Sequence, residues 1–123
     1  MTKNNPKILV ADDSAFMRRI LIDILKERGK FSAFFEAGNG EETLQSYHSE
    51  HPDIILLDLI MPGKDGFEVL KELGGKADVK ILVISAIGQN QLIEEARKLG
   101  AKGFIIKPFD GKEVIARIDS LNV

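Results

Sequence analysis

Five short apolar runs divide the chain, and longer stretches of mixed polar and apolar residues separate them. Four runs are continuous and rich in β-branched residues, which indicates strands that are buried on both faces of a parallel sheet. The second run is the shortest, which suits a strand at the edge of the sheet. The runs are Ile8–Val10, Phe34–Phe35, Ile54–Leu57, Ile81–Ile84 and Phe104–Ile106.

A stretch with helical spacing of its apolar residues follows each run. The first begins after Ser14, a good helix cap, and ends at Gly29, which suits the position after a helix. The others are predicted after Asn39–Gly40 and before Pro52, from about Asp65 to Leu73, from about Asn90 to Leu99, and from near Asp110. Strand–helix alternation repeated five times predicts a doubly wound α/β fold with a parallel sheet, in one domain over residues 1–123.

Composition and charge exclude several classes of protein. The chain has 123 residues, 44% of them apolar, and a formal net charge of −2, which argues against a large electrostatic footprint on nucleic acid. The absence of cysteine excludes structural disulfides, cysteine-ligated zinc and a catalytic thiol. No apolar run approaches the ~20 residues of a membrane helix, and the first residues lack a signal-peptide core, so we expect a cytoplasmic protein.

Reactive side chains follow four of the predicted strands, at the point where each strand ends. Asp12 and Asp13 follow the first strand, Asp58 the third, Ser85 the fourth and Lys107 the fifth. Because the carboxyl ends of parallel strands meet at one edge of the sheet, we expect these five side chains to converge there. Asp12 and Asp13 alone could equally be a helix-capping pair.

Three neighbouring carboxylates repel one another, and a bound cation removes that cost. Ligands that offer only oxygen indicate a hard ion, and so few carboxylates favour Mg²⁺ over Ca²⁺. The chain has no glycine-rich phosphate loop of the two common nucleotide-binding kinds. The residues therefore fit one small anion beside Mg²⁺, with an aspartate as nucleophile toward phosphorus and Lys107 and Ser85 contacting phosphoryl oxygens.

The segments ADDSAFMRRI, LLDLIMPGKDG, VISAIG and AKGFIIKPF closely resemble the signature set of the receiver domain of two-component response regulators, of the single-domain chemotaxis type. The resemblance covers essentially the whole chain, with the motifs in the family's order. It implies a flavodoxin-like (βα)5 fold with strand order 2-1-3-4-5. It also implies a signalling switch that accepts a phosphoryl group from the histidine of a partner kinase.

The resemblance assigns roles by position. Asp58 is the implied phosphoacceptor. Asp12 and Asp13 are the implied acidic pair that holds Mg²⁺ with Asp58, and the backbone carbonyl of Ile60 is a further ligand. Lys107 bridges to the phosphoryl group.

Further implied roles concern the switch. Ser85 is the switch hydroxyl and Phe104 the aromatic side chain whose rotation reports the state, although Phe104 could simply belong to the core. The Lys107–Pro108 peptide bond is expected to be cis. The face that changes is formed by the fourth helix, the fifth strand and the fifth helix, and it binds a protein target.

Two positions that flank the phosphoryl group in this family are apolar here. Ile60 lies two residues after the phosphoacceptor, and Ile87 lies two residues after the switch hydroxyl. Many relatives carry a polar residue at one or both places. We therefore expect water to have poor access to the phosphorylated aspartate, and dephosphorylation to be slow.

As a switch, the protein is not expected to be an enzyme, beyond catalysing its own phosphoryl transfer and slow dephosphorylation. Nucleic acid and membrane partners are not expected; the expected state is a monomer, with a dimer on activation left open. The alternatives are a receiver domain cut from a longer regulator and, in the enzyme class, a Mg²⁺-dependent phosphatase with an aspartate nucleophile. A phosphorylation-independent interaction module is disfavoured because every site residue is present.

Three further features have ordinary structural explanations. His48 and His51 are expected at a solvated helix end rather than in a metal site. Arg18 and Arg19 are expected on a solvated helix face rather than in a nucleic-acid patch. The segment 61–63 is expected to form a turn.

Overall fold

The structure, a computed structural model, describes residues 6–61 and 65–121. Its strands form one parallel sheet in the order β2-β1-β3-β4-β5, which confirms the doubly wound fold and its strand order. Within the predicted turn, residues 62 and 63 lie outside the described residues, as do both ends of the predicted domain. The strands are β1 Lys7–Ala11, β2 Ala33–Ala37, β3 Ile54–Leu57, β4 Lys80–Ser85 and β5 Gly103–Ile106.

In the described part of the chain five helices connect and follow these strands, and four of them begin at a residue whose side chain caps the helix. The Ser14 hydroxyl accepts a hydrogen bond from the Met17 N–H, and Gly29 ends the first helix with a φ of 73°, a conformation that glycine adopts readily. Asn39, Asp65 and Asp110 cap three further helices in the same way. The helices are α1 Ala15–Arg28, α2 Gly40–Glu50, α3 Gly66–Leu73, α4 Asn90–Lys98 and α5 Gly111–Ser120.

The core consists of two layers, one on each face of the sheet. Leu9 and Ile55 pack into the layer that includes side chains of α2, α3 and α4. Their neighbours Ile8 and Ile54 pack into the layer that includes side chains of α1 and α5. Because successive residues of a strand point to opposite faces, the continuous apolar runs of β1 and β3 fill both layers. Within the described part of the chain, no helix is long and apolar enough to cross a membrane.

The prediction that the fifth run is buried on both faces is wrong. Among the described strands β5 pairs only with β4, so it is an edge strand at the opposite side of the sheet from β2. Phe104 is half-buried, and Ile106 is 43% exposed. An edge strand has a neighbour on one side only, so helices cover its side chains incompletely.

Candidate functional site

The three predicted acidic residues converge at the carboxyl edge of the sheet. Each of Asp12, Asp13 and Asp58 offers a carboxylate oxygen, and these oxygens all lie within 4.8 Å of one another. Asp12 is 2% exposed and Asp58 is 8% exposed, whereas Asp13 is open to solvent. The cluster therefore has two buried members and one exposed member at its rim.

Lys107 joins the two buried carboxylates. Its ammonium donates to Asp12 Oδ2 at 2.7 Å and to Asp58 Oδ2 at 3.1 Å. Charge-assisted hydrogen bonds of this kind are stronger than neutral ones, and burial limits their screening by water. The Lys107 ammonium thus links the segments that follow β1, β3 and β5.

Backbone N–H groups hold the remaining oxygens of the buried pair. Asp12 Oδ1 accepts from the Ser14 N–H at 2.9 Å, and Asp58 Oδ1 accepts from the Ile60 N–H at 3.1 Å. The Asp13 carboxylate makes no hydrogen bond with any residue that the structure describes. Two carboxylates are therefore fixed by their own contacts, and the third is placed only by its backbone.

Burial and charge act in opposite directions at this site. Burial raises the pKa of the Asp58 carboxyl above its usual value; the Ile60 N–H and the Lys107 ammonium lower this pKa, and the Asp12 charge raises it further. Burial lowers the pKa of the Lys107 ammonium, but its hydrogen bonds and its attraction to Asp12 and Asp58 outweigh burial and raise this pKa overall. The ammonium is therefore held in its charged form between the two acids.

Asp58 is also fixed through its backbone. Its N–H donates to the Ala11 carbonyl at 2.9 Å, which joins the ends of β3 and β1. On the other side, the Gly66 N–H donates to the Leu59 carbonyl at 3.0 Å. A Cβ atom on Gly66 would lie 2.2 Å from the Asp58 carbonyl oxygen, so only glycine lets α3 begin this close to the strand end.

Neither of the two predicted switch residues contacts the acidic cluster through a hydrogen bond: Ser85 ends β4 at the carboxyl edge of the sheet, and Phe104 lies within β5. Ser85 is fully buried, and its hydroxyl accepts from the Ile87 N–H at 3.3 Å. The Lys107 N–H donates to the Ser85 carbonyl at 2.8 Å, which couples the ends of β4 and β5. Phe104 packs against the core layer that contains α2, α3 and α4. The Lys107–Pro108 peptide bond is cis, as the resemblance implies.

A groove of about 640 Å³ runs along the face formed by α4, β5 and α5. Phe104 and Ile106 contribute to its apolar lining from β5, and Ile93 and Ala96 contribute from α4. Four basic side chains and one acidic side chain also line it: Arg97, Lys102, Lys107, Arg117 and Glu113. Asp12 and Asp58 bind the Lys107 ammonium, and Glu94 pairs with Arg97, so the net positive charge of the groove comes from Lys102 and Arg117 against Glu113. The predicted output face is thus a concave surface with an apolar part and a small excess of positive charge.

Large apolar side chains are exposed at the carboxyl edge of the sheet, where the acidic cluster lies. In the described part of the chain the exposed ones are Phe16 at 75%, Ile60 at 54%, Ile106 at 43% and Ile87 at 36%. They lie in the first turn of α1, after β3, at the end of β5 and after β4, which is the same edge of the sheet. These four residues, which we call the apolar rim, therefore lie at the same edge of the sheet as the acidic cluster.

Arg18 is a residue whose place the sequence analysis missed. Its side chain is 18% exposed rather than solvated, and its Nη1 donates to the backbone carbonyl of Asp12 at 2.7 Å. Its Nε donates to Glu36 Oε1 at 2.9 Å. The next residue, Arg19, is exposed as expected. The available signal was the position of Arg18 one helical turn after the Ser14 cap, where a long side chain can reach back to the strand end.

The two histidines lie away from this site. His48 is exposed on the last turn of α2, and His51 ends that helix with a positive φ of 50°. Among the described residues, the metal-binding geometry of three or more ligands occurs only at the acidic cluster, which has no histidine. The prediction of a solvated helix end is confirmed.

The donor set of the cluster fits a hard cation. Asp12, Asp13 and Asp58 supply only carboxylate oxygens, which Mg²⁺ prefers, and a site with few protein ligands leaves room for water and a phosphate oxygen. An ionised carboxylate beside such an ion can attack phosphorus.

Comparison with known proteins identifies this architecture. Residues 8–119 match the response regulator receiver domain family, and the chain belongs to that family. It is 40% identical over 114 residues to the chemotaxis protein CheY of Bacillus subtilis, covering 92% of this chain and 94% of the relative. It is 40% identical over 118 residues to the chemotaxis protein CheY of Thermotoga maritima, covering 94% of this chain and 97% of the relative.

A solved structure agrees with the sequence comparison. A chain in the crystal structure of the CheX–CheY–BeF3–Mg²⁺ complex from Borrelia burgdorferi superposes with a TM-score of 0.89 at 33% identity. The match covers 95% of this chain and 89% of that chain. The family resemblance inferred from the four sequence motifs is confirmed.

Proposed function

We propose that the protein is a phosphorylation-activated signalling switch in which Asp58 accepts a phosphoryl group from the histidine of a partner kinase. The observation that carries this proposal is the geometry of Asp58. Its buried carboxylate lies beside two other acids and accepts a hydrogen bond from Lys107. The relatives named chemotaxis protein CheY support a role in chemotaxis.

In the proposed reaction, an oxygen of the Asp58 carboxylate attacks phosphorus, and the P–N bond to the kinase histidine breaks. The electron pair of that bond stays with the imidazole nitrogen. When bound, Mg²⁺ neutralises the carboxylates and a phosphoryl oxygen, and its ligands would be Asp12, Asp13, Asp58 and the Ile60 carbonyl. Lys107 already contacts Asp58 and would hydrogen-bond another phosphoryl oxygen.

The proposed output begins at Ser85. Its hydroxyl would turn from the Ile87 N–H to a phosphoryl oxygen and draw the loop after β4 toward Asp58, and Phe104 would move into the space that the loop leaves. The loop packs tightly on β5, because a Cβ atom on Gly88 would lie 2.5 Å from Ile106 Cδ1. A shift of the loop would therefore change the groove of α4, β5 and α5.

The surfaces of the site indicate the kind of partner. The apolar rim, at the same edge of the sheet as Asp58, favours docking of the phosphodonor as a protein with its own apolar surface. The positive charge of the groove favours a protein target that offers acidic side chains beside apolar ones. Such a switch would act in the cytoplasm as a monomer, and activation could join two copies through the groove face.

The test is labelling with radioactive acetyl phosphate in the presence of Mg²⁺. The wild-type protein should incorporate label at Asp58, and Asp58→Asn should abolish it while the fold is kept, because an amide is a poor nucleophile. Asp23→Asn, which changes an exposed acid on α1, is the matched control and should label normally. Labelling of Asp58→Asn at the wild-type rate would contradict the proposal, and rapid turnover of p-nitrophenyl phosphate would favour a phosphatase instead.

A further inference from the structure

Arg18 connects the acidic loop to the end of the neighbouring strand. It extends from α1 back to the Asp12 carbonyl, 2.7 Å from Nη1, and its Nε contacts Glu36 on β2 at 2.9 Å. A Cβ atom on Gly38 would lie 3.5 Å from Nη1, so the guanidinium also packs beside the loop after β2. The guanidinium is therefore held in one orientation by α1, β2 and the segment that follows β2.

The hydrogen bond from Arg18 means that both backbone polar groups of Asp12 have partners. The Asp12 N–H donates to the Ala37 carbonyl at 3.0 Å, and the Asp12 carbonyl accepts a hydrogen bond from Arg18 Nη1. That carbonyl belongs to the peptide unit that leads into Asp13. Because the Asp13 side chain has no hydrogen bond with any described residue, the orientation of this peptide unit sets the direction of the Asp13 Cα–Cβ bond and hence the region that its carboxylate can reach.

We propose that Arg18 is a positioning residue for the metal site: it holds the Asp12–Asp13 peptide so that the Asp13 carboxylate stays within reach of Asp12 and Asp58. This inference rests on the proposed function, which places Mg²⁺ at the three acids. Groups that orient metal ligands without touching the ion commonly change metal affinity by about 10-fold or more when they are removed.

Charge alone predicts the opposite result. Arg18 adds a positive charge near three carboxylates, so its removal should strengthen cation binding if electrostatics dominated. Loss of orientation should weaken cation binding. The sign of the change in Mg²⁺ affinity therefore separates a positioning role from a purely electrostatic one.

The test compares three variants by titration with MgCl2 at constant ionic strength, followed by the backbone amide signals of Asp58 and Ser85 in NMR spectra. Arg18→Ala removes both the charge and the contact, and Arg18→Lys keeps the charge but cannot span Asp12 and Glu36 with the same planar group. Arg19→Ala is the matched control, because it removes the same charge from an exposed neighbour on the same helix.

We expect the dissociation constant for Mg²⁺ to rise about tenfold in Arg18→Ala, to rise in Arg18→Lys, and to stay unchanged or fall slightly in Arg19→Ala. The Mg²⁺ concentration for half-maximal labelling by acetyl phosphate should rise in parallel, while the labelling rate at saturating Mg²⁺ stays close to wild type. If Arg18 only stabilised the fold, its variants would not show a labelling defect that is confined to low Mg²⁺ concentrations. If Arg18→Ala does not fold, Arg18→Lys decides.

The outcomes separate this inference from the function on which it rests. Equal or tighter Mg²⁺ binding by the Arg18 variants, with saturable binding by wild type, would overturn the positioning role and leave the phosphorylation switch intact. A wild-type protein that shows no saturable response to Mg²⁺ would overturn both the proposed metal site and the role of Arg18.

Discussion

Asp58, the proposed nucleophile, meets two opposing demands, because a nucleophile must be charged and a buried carboxylate resists charge. Burial is the largest cause that raises its pKa above the usual 3.8, and the contacts with Lys107 and Ile60 offset burial only in part. The folded protein therefore binds the Asp58 proton more tightly than the unfolded chain does. The stabilisation from that proton is fully present below pH 3.8 and is lost as the pH rises through the folded-state pKa.

The raised pKa of Asp58 in the folded protein predicts how Asp58→Asn should change the dependence of stability on pH. The amide of Asp58→Asn does not ionise, so the variant keeps the stability that wild type loses when Asp58 becomes charged. In the absence of Mg²⁺ the variant should therefore melt at a higher temperature than wild type at pH 7. The difference should shrink as the pH falls toward 3.8. Thermal melts of the two proteins across that range check it, with Asp23→Asn as an exposed control that should follow wild type. A variant that is less stable than wild type at pH 7 would contradict the argument.

Ile60 and Ile87, which follow the proposed phosphoacceptor and the proposed switch hydroxyl, set a second expectation for single residues. Their backbone N–H groups hold Asp58 and Ser85, and their exposed side chains belong to the apolar rim. Neither side chain can position a water molecule for attack on phosphorus. Ile60→Asn or Ile87→Glu should therefore speed loss of phosphate by about tenfold, or ~1.4 kcal/mol of barrier.

The measurement for the isoleucine variants is decay of phosphorylated protein at fixed Mg²⁺. Phe16→Asn is the control, because it makes another exposed rim residue polar without placing it two residues after Asp58 or Ser85. Unchanged or slower decay in both isoleucine variants would contradict the claim that Ile60 and Ile87 limit the access of water to the phosphoryl group.

Among the helices, α3 shows how closely an element must approach the site. Gly66→Ala would place a methyl group 2.2 Å from the Asp58 carbonyl oxygen, and the start of α3 would have to shift. We expect a loss of about 1–3 kcal/mol in the free energy of unfolding, together with slower labelling of Asp58. Gly75→Ala is the matched control, since a Cβ atom there meets nothing within 4 Å. Urea denaturation of both variants measures the difference, and equal losses would count against the close approach.

The start and end of most elements could be predicted because their signals are local. Ser14, Asn39, Asp65 and Asp110 cap helices through bonds to residues two or three positions away, so the sequence around each is sufficient. The exposure of β5 could not be predicted in this way. An apolar run looks the same whether a second strand lies beside it or not, and only the strand order makes β5 an edge.

The same distinction applies to the site. Asp12, Asp13, Asp58 and Lys107 could be placed together because parallel strands bring their carboxyl ends to one edge. The sequence places Arg18 one helical turn after the Ser14 cap, within reach of the strand end, but helical spacing alone does not show that its side chain returns to the Asp12 carbonyl. Long side chains choose among many rotamers, and the choice here depends on Glu36 and Gly38, which belong to another part of the chain.

Across the whole molecule, Lys107 connects the acidic cluster to the groove, since it contacts Asp58 and also lines the groove. Lys107→Arg keeps the charge, but a planar guanidinium cannot replace a compact ammonium that contacts two carboxylates at once. We expect this variant to be labelled at Asp58 while the groove fails to respond. Lys102→Arg, an exposed lysine of the same groove, is the control.

Hydrogen exchange of α4 and β5, measured with and without beryllofluoride and Mg²⁺, tests this expectation. Wild type and Lys102→Arg should show a change in exchange on loading, and Lys107→Arg should show little. A wild-type response in Lys107→Arg would contradict the coupling role.

The hydrogen bonds of Lys107 join residues that are far apart in sequence, 95 positions from Asp12 and 49 from Asp58. Because the chain is synthesised from its amino end, the acids emerge from the ribosome well before the cation that pairs them. A nascent or partly folded chain that lacks β5 therefore has the proposed phosphoacceptor without its lysine. Under the proposed function, the complete phosphoryl site forms only when β5 is in place, so phosphorylation depends on a strand that is made well after the acids.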